Sequence, residues 1–409
     1  MNHKKFLNSL FKVAVAKAQP KECMPPYLHK KQFLGRTIVF GAGKASANMA
    51  QIVEKNLSID LEGLVVTRYE HSVPCKKIDV IEAGHPVPDK NGMHAASRML
   101  KIASGLKEED TVLCLISGGG SSLLTLPAPG ISLQQKQYIT SEILKSGATI
   151  HEFNSVRKHL SAIKGGRLAI ACYPAKIITL TISDVSGDDI GVIASGPTVE
   201  DETTFEDALN VLKKYKITNH KSVFNHLKNA KNETPKPGDV RLKNVENILI
   251  ATSQQSLETA AKFAKEEGII PLILSDRIEG EAREVAKEHA LQAKKIQNQR
   301  RSLSEPIVLL SGGETCVTVK GSGLGGANTE YMLSLLIELR GQEGIWAIAC
   351  DTDGIDGTGD NAGALITPDS FKISNSLGLN PESFLANNNS YNFFSKIGGL
   401  VSPGPTLTN

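Results

Sequence analysis

Short apolar runs recur along the chain, and each ends on a glycine or a small polar residue. Thr37 to Phe40 leads into Gly41-Ala42-Gly43-Lys44, and Val112 to Ile116 leads into Ser117-Gly118-Gly119-Gly120. Ile177 to Ile182 ends on Ser183-Asp184, Ile248 to Ile250 on Ala251-Thr252-Ser253, and Leu272 to Leu274 on Ser275-Asp276. Val308 to Leu310 leads into Ser311-Gly312-Gly313-Glu314, and Trp346 to Cys350 into Asp351-Thr352-Asp353. Runs this continuously apolar predict strands buried on both faces. Between them Ala45–Lys55, Gln134–Lys145, Leu257–Glu267 and Glu279–Gln299 read as helices; in the third, apolar residues fall at 257, 260, 261 and 264. Strand, glycine turn and helix in repetition predict an α/β fold, with mainly parallel sheets carrying helices on both faces. The polar stretch Asn232 to Asp239, with Pro235, Pro237 and Gly238, predicts a boundary between domains at 1–235 and 240–409.

Composition narrows the function. The 409 residues are 40% apolar and 22% charged, as in ordinary globular proteins. A net charge of +3 argues against nucleic acid or a membrane surface as partner. One Trp and seven Tyr argue against a base-stacking platform. The six cysteines are widely spaced without a C-x-x-C pair, which predicts reduced thiols and a cytoplasmic location. Met1 to Leu34 reads as a charged amphipathic helix broken by Pro20, Pro25 and Pro26, without a signal-peptide core.

In open parallel sheets ligands bind beyond the carboxyl ends of the strands, where the polar and glycine-rich residues fall here. Gly43 and Lys44 open a helix, so an anion would meet backbone N–H groups and a full positive charge. Ser117, Gly118, Gly119, Gly120, Ser121 and Ser122 read as a second anion-binding turn. In the basic block Asn154 to Arg167, the residues Arg157, Lys164 and Arg167 are candidates to clamp a carboxylate or phosphate; a solvated helix face is the plain alternative. Asp184, Asp188 and Asp189 share one loop, and adjacent carboxylates invite a cation such as Mg²⁺. Gly321 to Gly326 fits G-x-G-x-x-G after an expected strand at Thr315–Val319, a weak dinucleotide signal. The acidic loop Asp351 to Asp360 lacks the twelfth-position Glu of an EF-hand and reads as a strand-end loop. His85, in Gly84-His85-Pro86-Val87-Pro88-Asp89, is a second-tier candidate.

Taken together these motifs resemble one family, the type II glycerate kinases. The matching stretches are GAGKAS at 41–46, GHPVPD at 84–89, LISGGGSSLL at 115–124, NSVRKHLSAIKGGRLA at 154–169 and ISDVSGDDIGVIASGPT at 182–198. GEAREVA at 280–286, SGGETCVTV at 311–319 and DTDGIDGTGDNAGA at 351–364 complete the set. The resemblance implies a Rossmann-like N-terminal domain, a smaller MOFRL domain and an active-site cleft between them. It implies transfer of the γ-phosphoryl of ATP to the 2-hydroxyl of glycerate, with Mg²⁺. Lys44 matches the family's catalytic lysine, and Ala327 stands where relatives often carry Arg, so Arg157 or Arg167 supplies that charge or activity is altered. The site expected on this basis has Lys44 and Asp189 as catalytic groups. Gly43, Ser117 to Ser122, Arg157, Lys164, Ser311, Gly312, Gly313, Glu314 and Asn328 bind substrate or phosphate, and Asp188 and Asp189 hold the metal. Glycerate and ATP are the expected partners, without nucleic acid or membrane, and a homodimer stays open. The alternatives are an NAD(P)H-dependent hydroxypyruvate reductase using 321–326 and a catalytically impaired small-acid binding protein.

Overall fold

The computed structural model describes residues 2–33, 35–299 and 305–409. The chain forms two compact units: Pro20–Thr252 with Asn409, and the segment up to Gln19 with Ser253–Thr408.

The larger unit is built on β1 (Thr37–Ala42), β2 (Leu61–Arg68), β3 (Asp79–Ala83), β4 (Thr111–Ile116), β5 (Lys176–Ile182) and β6 (Val245–Ala251). All pairings are parallel, in the order β3-β2-β1-β4-β5-β6. β1 and β4 are buried at every position, which is why neither sequence alternates between apolar and polar. They run in register, Thr37 beside Thr111 and Ala42 beside Ile116, so both end at one level. Ile38, Phe40, Leu64, Val66 and Val112 pack with Ala95, Ala96 and Met99 of the helix Lys90–Ala103. A second cluster joins Ile139 and Ile143 of the helix Leu133–Lys145, Phe153 and Val156 of Ile150–His159, and Phe205 and Leu212 of Phe205–Lys214. Capping boxes at Ser132/Gln135, Thr149/Glu152 and Thr204/Asp207 fix where these three helices start.

In the smaller unit β7 (Ile270–Glu281) and β8 (Ile307–Cys316) pair in parallel, while β9 (Ala347–Cys350), β10 (Gly363–Ile366) and β11 (Leu400–Val401) form an antiparallel sheet. Leu7 and Leu10 of the helix His3–Lys17 pack on Leu257, Ala260 and Ala264 of Ser253–Glu266.

Several expectations change. The second domain is not mainly parallel, because β10 pairs antiparallel with both β9 and β11. Ser275-Asp276 and Ser311 to Glu314 lie inside β7 and β8 and do not form strand-end loops. The units divide at 252/253, not at 235–240, because β6 is the sixth strand of the first sheet. The N-terminal segment up to Gln19 belongs to the smaller unit, since its apolar stripe finds its partner there. That segment is one helix, His3–Lys17, followed by the short turns Pro20–Cys23 and Pro25–Leu28; Met1 and Leu34, which bound the expected helix, lie outside the described residues.

Candidate active site

The order 3-2-1-4-5-6 places the topological switch between β1 and β4, where the chain leaves the two neighbouring strands in opposite directions. The loops that follow them meet there. Lys44 N–H donates to Gly118 O at 2.8 Å, and Ser117 N–H to Ala42 O at 3.1 Å. Ala45 N–H donates to Ser117 Oγ at 3.0 Å. Gly119 needs its left-handed φ of 77°, and a Cβ there would lie 2.9 Å from the His85 ring and 3.4 Å from Lys44 Cγ. At Gly118 a Cβ would run into the Asn409 amide. The glycines therefore let His85, Lys44 and Asn409 lie directly on the loop.

That role accounts for more of the loop than anion binding by its own atoms. Ser122 Oγ donates to Gly119 O at 3.0 Å, Ser121 Oγ is 2.9 Å from Ser195 Oγ, and Ser117 Oγ is held by Ala45. Gly120 N–H donates to Ser117 O, and Gly119 N–H to the Asp184 carboxylate. Of the three acids at the end of β5, Asp184 is the one beside Lys44. It keeps open surface on one side but is crowded on the others. Desolvation pushes its carboxyl above the ordinary aspartate value; the Lys44 charge, the Gly119 N–H and the Asn409 side chain pull it back without cancelling the rise. Asp189 Oδ1 instead accepts from Gly191 N–H at 2.8 Å, a local turn bond, and Asp188 sits at a left-handed φ of 58° in the same loop. Among the described residues, no group of three or more His, Cys, Asp or Glu side chains is arranged to hold a metal.

The basic block divides into two faces. Asn154 Oδ1 accepts from Ser195 Oγ at 2.9 Å, so a hydroxyl chain runs from the glycine loop through Ser121 and Ser195 to Asn154. Ser195, which carries that chain, and its neighbour Ala194 both hold positive φ, 61° and 52°, a strain of the kind found at functional sites. Lys164 is fully buried, and its Nζ donates to Ala194 O at 3.3 Å. Burial first, then Lys136 and Arg157, push its ammonium well below the ordinary lysine value. The Arg157 guanidinium lies 3.8 Å from the centroid of the Phe153 ring, and burial pushes it down to about 10. Asn154 and Lys164 thus both reach the Ala194-Ser195 segment beside the glycine loop, Asn154 from the helix Ile150–His159 and Lys164 from beyond its end, while Arg157 lies on Phe153.

The other face is structural. Lys158 Nζ pairs with the buried Asp201 at 3.1 Å, and His159 Nε2 lies 2.8 Å from Glu233 Oε1. Burial alone would raise the Glu233 carboxyl, but bonds from His159, Phe205 N–H and Thr234 N–H outweigh it and hold it well below the ordinary value near 4.5. A depressed folded value means stabilisation that is present above the unfolded value and lost as pH falls through the folded one. Glu233→Gln is therefore expected to cost about 1 kcal/mol at neutral pH, after allowance for solvent screening. It is also expected to flatten the fall in Tm below pH 4.5, as calorimetric melts across pH would read. Parallel Tm-against-pH curves would show that this carboxylate contributes nothing.

The remaining expected residues lie in the smaller unit. Gly313, with φ 148°, is required because β7 backbone at Ile278 passes where its Cβ would be, and Gly312 lies against Ser253. Ser311 and Glu314 flank them on β8. Asn328 follows Ala327, the first residue of the helix Ala327–Leu339. The Asp356 carboxylate accepts from Asn328 N–H at 2.9 Å, Thr329 N–H at 2.8 Å and Thr329 Oγ1 at 2.7 Å. The glycines at 321, 323 and 325 are packed against Asn387, Asn389 and Ser390. The strand expected at 315–319 ends at Cys316. A dinucleotide fingerprint needs an open helix N-terminus after a strand; here that terminus already holds a carboxylate and the glycines accommodate the chain's own backbone and side chains.

Sequence reasoning placed Asp184 in the acidic loop but chose its neighbours. The usable signal was position, since Asp184 stands two residues past β5 while Asp189 is seven past it. Ser195 carried no signal, because nothing in Ile193-Ala194-Ser195-Gly196 announces two non-glycine residues at positive φ.

A Rossmann-ordered sheet with a lysine, a glycine loop and a desolvated carboxylate at its switch point defines an α/β enzyme that handles small anionic metabolites. The family described as "Domain of unknown function (DUF4147)" matches residues 6–228, and the MOFRL family matches residues 307–409. A "Putative hydroxypyruvate reductase" of Agrobacterium vitis is 48% identical, over 98% of this chain and 92% of that protein. A D-glycerate 2-kinase of Thermotoga maritima is 44% identical, over 95% of this chain and 91% of its own. The crystal structure of a glycerate kinase from the same organism superposes with a TM-score of 0.89 at 43% identity, covering 99% of this chain and 97% of that one. The chain belongs to the type II glycerate kinase family.

Proposed function

We propose that this protein is an ATP-dependent glycerate 2-kinase that moves the γ-phosphoryl group of ATP to the 2-hydroxyl of glycerate, giving 2-phosphoglycerate and ADP. The observation that carries the reading is the meeting of Lys44, the 117–120 loop and Asp184 at the switch point. Phosphoryl transfer asks for positioning and charge neutralisation more than covalent chemistry. Lys44 places its ammonium where the transferring phosphoryl group would pass. Asp184, raised by desolvation, is suited to take the 2-hydroxyl proton as the oxygen attacks. Arg157 and Lys164 hold the glycerate carboxylate.

Mg²⁺ fits this loop only as an ion that arrives with ATP, since it keeps substrate phosphates and water as ligands and asks the protein for one or two carboxylates. Asp188 is the residue that would hold it; when bound, the ion neutralises the phosphate oxygens.

The reductase reading has the weaker support, because the helix N-terminus it needs is occupied by Asp356. A coupled assay tests both. ADP formation that depends on glycerate and Mg²⁺, with no NAD(P)H consumed on hydroxypyruvate, is the expected result. NAD(P)H oxidation without ADP would reverse it.

A further inference from the structure

One buried cation of the larger unit has no part in the assignments above. Lys136 lies on the helix Leu133–Lys145, on the face that also buries Ile139 and Ile143. It is 4% exposed, and its Nζ has no hydrogen-bond partner among the described residues. It falls in the first turn after the Ser132 cap, where the helix dipole opposes a positive charge. Its nearest charged neighbours are also cations: Arg157 acts on Lys136, and both act on Lys164. Burial first, then Arg157, push its ammonium down to about 7.

Among the described residues, none of these three cations is ion-paired. Lys164 reaches a backbone carbonyl, Arg157 stacks on a ring, and Lys136 reaches nothing. The buried Asn154 Nδ2, on the same helix face as Arg157, also has no partner. Two buried lysines, the half-buried Arg157 and an unused amide donor leave a cluster of uncompensated positive charge. The cluster connects to the reaction site on two sides. Ala194-Ser195 touches Lys164 and Asn154 on one side and Gly120 and Ser121 on the other. Gln137, next to Lys136, donates to Pro88 O at 2.6 Å in the loop that brings His85 onto Gly119.

We propose that Lys136 is the third cation of a buried pocket that, with Arg157, Lys164 and Asn154 Nδ2, receives the carboxylate of the substrate and so sets selectivity for a small hydroxy acid. This rests on the glycerate kinase reading. Lys136 is specific to the acceptor: it neutralises the carboxylate, whereas Lys44 serves the phosphoryl group.

The test uses Lys136→Met, which keeps the length of the side chain, with Lys136→Arg as the conservative partner. KM for glycerate is expected to rise about 10- to 100-fold in Lys136→Met, the usual effect of losing one charge-assisted bond. KM for ATP should stay within about twofold, Lys136→Arg should recover part of the loss, and Tm should hold or rise because an unpaired buried charge is gone. An unchanged KM for glycerate, or a parallel rise in KM for ATP, overturns the proposal; so does a lower Tm with unchanged KM, the mark of a purely structural lysine. Calorimetric titration of the ATP-free protein with sodium D-glycerate reads the pocket independently of turnover. Wild-type binding that Lys136→Met weakens tenfold or more supports the pocket even if no ADP forms, which would remove the kinase reading alone. No wild-type binding overturns the pocket.

Discussion

Lys44→Ala is expected to lower kcat about 10³-fold or more, with Tm little changed. One positive charge on a transferring phosphoryl group is worth that much in related chemistry. The side chain is half-buried, its stem crosses Gly119, and its backbone N–H remains bonded to Gly118 O whatever the side chain is. The fold therefore loses little. The variant carries a second signature. Lys44 holds the Asp184 carboxyl down against desolvation, so removing it lets that carboxyl rise further. A base works only when deprotonated, so the acidic limb of the residual pH–rate profile should move to higher pH. Steady-state rates across pH check both effects. A normal kcat in a stable variant would put Lys44 on a solvated turn.

Asp184→Asn is expected to lower kcat by about 10²- to 10⁴-fold, the range of general-base catalysis, and to remove the acidic limb altogether. Asparagine keeps the size of the group and its bonds to Asn409, so a loss of rate reports on the carboxylate and not on packing. Asp189→Asn is the control. Its carboxylate serves the Gly191 turn, and the amide oxygen can accept the same bond, so kcat should stay within about threefold. If Asp189→Asn is the crippled variant and Asp184→Asn is not, the catalytic carboxylate is the one first read from the sequence.

Much of this molecule was legible without coordinates. β1 and β4 appear as unbroken apolar runs because both their faces are buried, and the glycines after them mark the edge where a ligand binds. The sorting of the basic block was not legible. Lys158 and Lys164 look equivalent in sequence, yet one is neutralised by Asp201, 43 residues on, and the other is buried against Ala194 without an acid. The G-x-G-x-x-G stretch misled for a related reason. Glycine is needed wherever backbone or side chains pass close, and Asn387, Asn389 and Ser390 do so as effectively as a pyrophosphate would.

The sequence by itself determined the α/β class, the lysine and glycine loop at the strand ends, and the family. Each of these is written in local periodicity, in punctuation, or in motifs that stay contiguous along the chain. Tertiary structure alone decided that the units divide after β6, that the N-terminal helix belongs with the second unit, and that Asp184 is the acid beside Lys44. It also decided that Lys136 is buried with no hydrogen-bond partner for its Nζ among the described residues. These facts depend on closures between distant segments, such as Ser121 on Ser195 across 74 positions and Ala45 on Ser117 across 72. A side chain's charge is written at its own position, but what that charge meets is set by where the rest of the chain folds back.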